Sequence, residues 1–240
     1  MAEAIAWALV ASGALLLGAV TAFLLRPGHR AIAVTLAIGS GALLGAVAYE
    51  LVGEALKVAD FPLVAAGLVL GSLAYVAGVL AIGNQRVKRR KSPRGGHEAE
   101  ASQAIVVGTV LDGLPESFVL GASVLSGGVS LPFVVGVALS NLPEGIASST
   151  GLAASGWSRM RIVALWLAVM AASAVASAAG YQLLSQQDPA VGAAAQSFAA
   201  GALLTMVADT MVPEAYRDER IWTGPLLVLG FAAALAVGSV

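Results

Sequence analysis

The sequence predicts an all-α integral membrane protein: eight transmembrane helices in a 3+2+3 inverted-repeat arrangement, forming a single transmembrane domain over residues 1–240. Three observations predict it. First, 58% of the residues are hydrophobic and only 11% are charged, with a mean hydropathy of +0.87, whereas a soluble domain carries about 25% charged residues. Second, a spanning helix needs roughly 20 mostly apolar residues. Eight stretches meet that length, at about 5–25, 31–56, 61–83, 103–126, 130–155, 160–184, 191–215 and 221–239. Third, the basic residues segregate to alternate connections.

The charge pattern tests the helix count independently. Taking connections alternately from the first, one set holds Arg26 and Arg30, the run from Arg86 to Arg94, Arg159 and Arg161, and Arg217 and Arg220. That set contains all but one of the 13 Lys and Arg residues; Lys57 alone falls on the other side. Basic connections stay in the cytoplasm, so both termini are expected outside it, in a multi-pass protein of the cell membrane. No stretch alternates with a period of two over the roughly ten residues of a barrel strand.

The elements follow in order. The first apolar run, Ile5–Leu25, is preceded by Glu3 and no basic residue. It exceeds the 7–15 or so residues of a signal-peptide core, so it reads as a retained span. The second span carries Gly41-Ala-Leu-Leu, with Glu54-Ala55 further on; the seventh carries Gly201-Ala-Leu-Leu, with Glu214-Ala215 at the same offset. Between the third and fourth spans the segment 84–102 reads NQRVKRRKSPRGGHEAEAS. Its charge and Gly/Pro content predict a flexible cytoplasmic loop. Its basic run either fixes topology or meets anionic lipid. The fourth span contains Asp112-Gly-Leu-Pro-Glu-Ser117 and the fifth contains Ser140-Asn-Leu-Pro-Glu-Gly145. With eight alternating helices, spans 4 and 5 run antiparallel, as do spans 2 and 7. Similar sequence in opposite orientations marks an inverted-repeat transporter with its site near the midplane.

The chemistry sits in these repeats. The spans hold Glu50, Glu54, Asp112, Glu116, Glu144, Asp209 and Glu214, and no Lys or Arg other than Arg161 at the edge of the sixth. A charged group at membrane depth costs at least about 2.5–3.5 kcal/mol, so such acids are expected to meet water, protons or a cation. Asp112 and Glu116 are four apart and share one helix face, as do Ser140 and Glu144. Pro115, Pro143 and Pro213 each remove a backbone donor, freeing the carbonyls of Leu111, Leu139 and Asp209 and predicting kinks. Cysteine is absent, which excludes a disulfide framework and a thiolate site. Clustered carboxylates share protons, so cation binding should displace them and uptake should weaken at acid pH.

At these motifs the chain resembles the Zrt/Irt-like (ZIP) metal transporters, whose fourth and fifth helices carry His-Asn-x-x-Glu-Gly and His-Asn-x-Pro-Glu-Gly. Ser140–Gly145 matches the second motif at all but its first position, while Asp112–Ser117 keeps the glutamate and spacing of the first. The resemblance implies eight helices, outward termini and a binuclear metal centre between the fourth and fifth helices. Carried over by position, Asp112, Glu116, Ser140 and Glu144 line the primary site, and Asn141 with the two glutamates serves a second. Glu50 and Asp209 are implied as flanking ligands, with support from Glu214. Asp112 and Ser140 replace histidines and Gly113 replaces asparagine, and the sixth span offers only Ser173 and Ser177, which puts the second site in doubt. The implied substrate is a divalent metal ion: zinc, iron, manganese or cadmium, with no organic cofactor. An oxygen-only donor set suits a harder ion than zinc, such as Mn(II) or Fe(II). His29 and His97 lie outside the spans.

The expected partners are the metal ion and the lipid bilayer, with no nucleic acid; a homodimer is compatible with the pattern. Two other classes compete with a metal importer. One is a proton- or sodium-coupled carrier of another solute, which the low aromatic content of 6% and the lack of basic residues in the interior of the spans disfavour. The other is an intramembrane protease, whose Tyr-Asp, Gly-x-Gly-Asp and His-Glu-x-x-His contexts do not occur. The chain is therefore expected not to be an enzyme.

Overall fold

A computed structural model describes the backbone of residues 1–89, 97–124 and 130–238; side chains within 82–105 and at 107 and 110–112 lie outside the description. Among the described residues the regular structure is helical throughout, with no strand. The helix α1 spans Ala2–Leu25. The helix α2 (His29–Ala46) runs through a π-helical turn (Val47–Gly53) into α3 (Glu54–Val58). There follow α4 (Phe61–Arg89), α5 (His97–Ser123), α6 (Leu131–Ala154) and α7 (Arg159–Leu184). Then α8 (Pro189–Met206) runs through a second π turn (Val207–Met211) into α9 (Val212–Glu219). A single 3-10 turn (Arg220–Trp222) leads into α10 (Thr223–Gly238).

Six of these stretches are long and apolar enough to cross a membrane, the last being the 50-residue run Pro189–Gly238 that contains α8, α9 and α10. In lipid, only a helix or a closed barrel satisfies its own backbone groups, and the local signals here favour helix. Ser130, Ser158 and Asp188 accept from the amides of Phe133, Arg161 and Ala190 and so cap α6, α7 and α8. Pro132 and Pro189 sit in first turns, where a missing amide hydrogen costs nothing. Arg26 and Arg220, at φ of 46° and 49°, end α1 and α9 in the left-handed region.

One expectation about these elements needs correction. The segment 84–102 is not a loop at its ends: helix covers the backbone of 84–89 and 97–102, and 90–96 lies outside the described residues. Gln85–Arg89 and the Glu/Ala-rich stretch from His97 are good helix formers, so polarity alone was a poor boundary. The helix α5 continues through Pro115 and α6 through Pro143, as the spans at 103–126 and 130–155 expected.

Packing is by small residues. The helix α1 lies against α6 and α7, α5 against α7, α2 against α10 and α6, and α4 against α8. A Cβ at Gly41 would overlap the carbonyl of Leu227 on α10, and one at Gly201 would overlap the carbonyl of Leu68 on α4. From the other side, Gly230 meets Ile38 and Ala42, while Gly71 meets Phe198 and Ala202. Such close backbone approach supplies the dispersion contacts that replace a hydrophobic driving force in lipid. The core joins Leu36, Leu43 and Val47 to Phe133, Val137, Leu203 and Met206, with a second cluster of Leu15, Leu152, Ile162 and Trp166. The outer surface is apolar: Val69, Leu70, Leu73 and Leu80 on α4 and Val228 and Leu229 on α10 are exposed, as expected of a membrane-embedded surface.

Among the described residues the arginine side chains gather at one end of the molecule. Arg159 lies 5.6 Å from the Phe23 ring centroid, and Arg161 packs 3.8 Å from that of Trp157. Arg30 Nε donates to Glu219 Oε1 at 2.8 Å, tying the start of α2 to the end of α9. Glu219 is buried although Arg30 is not. At the other end, Lys57 Nζ donates to Glu54 at 2.6 Å.

Replacing Gly41 by valine is expected to abolish the folded protein, read as loss of a monodisperse peak in detergent. Gly13→Ala, whose Cβ would only touch the flexible end of Met170 at 3.9 Å, should be neutral or stabilise by up to about 1 kcal/mol. Arg30→Ala leaves a buried carboxylate without its guanidinium and should lower thermal stability by about 1–3 kcal/mol. Adding Glu219→Gln should recover part of that loss; no recovery in thermal melts would show that the pair is not what Arg30 contributes.

Candidate functional site

The expected site residues fall into four settings. Glu144 sits in the middle of α6, and Glu214 in the first turn of α9 just beyond the second π turn. The two glutamates line one cavity of about 430 Å³, together with Thr109 of α5, Ser148 of α6 and Thr210 of the π turn. Among the described residues no Lys or Arg lines it. A neighbouring cavity of about 240 Å³ shares Leu36, Ala147, Gly151 and Glu214 with it and reaches His29, Arg217 and Asp218. The Glu144 cavity thus adjoins the cavity at the arginine-rich end.

The helices place these groups for local reasons. Ser148 follows Glu144 by four residues and shares its face. The π turn carries one residue more than an α turn does and accommodates Pro213 directly after it. Thr210 Oγ1 donates to the Met206 carbonyl at 2.6 Å, which leaves its lone pairs free to face the cavity.

The second setting is buried protein. Glu116 is 2% exposed on α5, one residue before Ser117, whose hydroxyl donates to the Gly113 carbonyl at 2.7 Å. Ser140 is buried and donates to the Val137 carbonyl at 2.8 Å. Asn141 is buried too, and its Nδ2 donates to the Ala11 carbonyl at 3.1 Å, joining α6 to α1. Ser177 makes the corresponding bond from α7, donating to the Ala4 carbonyl at 2.9 Å. Of the residues expected as oxygen ligands, Asn141 therefore uses its amide hydrogen to fasten two helices, and Ser140 spends its hydroxyl hydrogen within α6.

The third setting is the opposite end. Glu50, in the first π turn, lines a cavity of about 400 Å³ with Tyr49, Glu54, Lys57 and Pro132. The structure does not bring Glu50 into the Glu144 cavity. Glu54, expected to lack a cationic partner, has Lys57 instead: the two are three residues apart on one helix face at the end of the rod. The fourth setting is exposure. Asp209 is exposed, one residue before the cavity-lining Thr210. The side chains of Asp112 and His97 lie outside the described residues.

Among the described residues no three His, Asp or Glu side chains converge as a group that holds a metal ion. The cavity instead offers two carboxylates and three hydroxyl groups from four helical segments, a hard-oxygen lining able to accept a cation that keeps part of its water. Sequence reasoning missed Thr109, Ser148 and Thr210. The first two had a signal: Thr109 precedes Asp112 by three residues, and Ser148 follows Glu144 by four.

A scan against models of protein families matches none, and a search of curated proteins finds no significant match.

Proposed function

We propose that the protein is a transporter of divalent metal cations of the Zrt/Irt-like type. One observation carries the reading: Glu144 of α6 and Glu214 of α9 line a single cavity with three hydroxyl side chains, and among the described residues no basic side chain lines it. Carboxylates kept together in apolar surroundings are stabilised by a positive charge that comes and goes. The duplicated Leu-Pro-Glu of α5 and α6 supports the same reading, because Glu116 is buried on the helix that also supplies Thr109.

An eight-span inverted repeat is part of this proposal. In it α1, α4, α5, α6, α7 and α10 each supply a span, as do the rods α2–α3 and α8–α9. The packing supports it. The contact of α2 with α10 has its counterpart in that of α8 with α4, and the contact of α1 with α6 in that of α7 with α5. The glycines follow suit: Gly41 and Gly230 do in one pair what Gly201 and Gly71 do in the other. By the positive-inside rule the arginine-rich end faces the cytoplasm, so the Glu144 cavity adjoins the cavity on that side. With oxygen donors only, Mn(II) or Fe(II) is preferred to zinc.

In proteoliposomes, Glu144→Ala and Glu116→Ala are expected to reduce Mn(II) uptake to background while the protein stays folded. Normal uptake by a folded Glu144→Ala variant overturns the proposal. Uptake should fall as pH drops from 8 to 5, since a protonated carboxylate no longer attracts the ion; a flat profile removes proton competition. Asp112→His should shift preference toward zinc, and an unchanged metal profile removes Asp112 from the ligand set.

A further inference from the structure

The two ends of the molecule carry cavities built from matching positions of two related helical rods. The rod α2–α3 aligns with α8–α9 without a gap: Gly41-Ala-Leu-Leu44 on Gly201-Ala-Leu-Leu204, Val47-Ala48 on Val207-Ala208, and Glu54-Ala55 on Glu214-Ala215. Both π turns begin at the matched valine. In this register His29 matches Pro189, Ile32 matches Gly192, Ala33 matches Ala193 and Leu36 matches Gln196, while Glu214 matches Glu54 and Asp218 matches Val58. The first member of each pair lines the 240 Å³ cavity at the arginine-rich end. The second member of each lines a cavity of about 370 Å³ at the opposite end. Six matched positions in two separate cavities follow from one packing used twice, in opposite orientations.

Four of the six matched positions carry different residues, and one of them places a buried polar side chain in the second cavity. Where the first has Leu36, the second has Gln196, a polar side chain that is only 7% exposed and makes no side-chain hydrogen bond among the described residues. Gln196 lies two turns into α8, roughly 10 Å beyond its first residue. Its amide atoms are not sealed away from solvent, so they are open to the cavity they line, and its carbonyl oxygen is a hard ligand suited to a divalent cation. Glu54 and Asp188 line the same cavity and no Lys or Arg does. Glu54 is engaged by Lys57 at the rim, and Asp188 Oδ1 accepts from the Ala190 amide.

The structure assigns this cavity as the opposite-end half of the cation path, with the Gln196 side-chain oxygen as the ligand that meets a divalent cation at its floor. The assignment rests on the transport reading above.

The native chain has no cysteine, so single cysteines report directly. Gln196→Cys, Gly192→Cys and Leu36→Cys are made in the full chain, reconstituted in liposomes and treated with a membrane-impermeant thiol reagent from either side, with and without millimolar Mn(II). A Cβ at Gly192 meets nothing within 4 Å, so that variant folds even if Gln196→Cys does not. The expected result is labelling of positions 192 and 196 from the side opposite the arginine-rich end, slowed at least fivefold by Mn(II), and labelling of position 36 from the arginine-rich side. Gln196→Leu, which copies the counterpart residue, should cut Mn(II) uptake at least tenfold. If position 36 is protected by Mn(II) but 192 and 196 are unreactive or unprotected, this assignment fails and the transport reading stands. If Mn(II) protects none of the three and Glu144→Ala transports normally, the transport reading itself has failed.

Discussion

The interaction on which the rest depends is the close approach of helix backbones at glycine. In lipid there is no gain from hiding one apolar side chain behind another, so helices associate where their surfaces come near enough for dispersion and weak polar contacts to accumulate. Gly41 against Leu227 and Gly201 against Leu68 set two such crossings. Every polar group of interest is then positioned relative to them. Glu144 and Glu214 share a cavity because α2, which touches both α6 and α9, holds those two helices at fixed separations.

Much of the fold was legible in the sequence because membrane helices are selected by two coarse quantities, hydropathy and the placement of Lys and Arg. Neither depends on details of packing. The stretches at 5–25, 130–155 and 160–184 differ from the observed α1, α6 and α7 by three residues or fewer at each end. Hydropathy failed where polarity and helix formation part company, at Asn84–Arg89 and from His97 onward. Those residues are too polar for lipid but well suited to helix, so the boundary of the apolar run was not the boundary of the helix.

The site was less legible, for a different reason. Spacing along one helix tells which side chains share a face, and the spacing that grouped Ser140 with Glu144 also relates Glu144 to Ser148, which went unnoticed. It does not tell which helix that face meets. Asn141 was expected at a ligand position, yet its amide reaches Ala11 of α1, a partner 130 residues away. Glu50 and Glu54 read as acids of the same kind as Glu144, yet lie at the other end of the bundle. The π turns left no compositional trace at all, because they arise from hydrogen-bond register rather than residue type.

Those turns have a structural corollary for α9. Each residue of an α-helix advances the next by about 100° around the axis, and a π turn inserts one residue without lengthening the coil by a full step. Everything C-terminal to Met211 is therefore rotated like a screw given one extra part-turn, and that rotation is what puts Glu214, itself exposed, on the lining of the cavity. Shortening Val207–Met211 by a single residue, a change that a surface loop absorbs easily, would swing the carboxylate out of the cavity while leaving every side chain of α9 chemically intact.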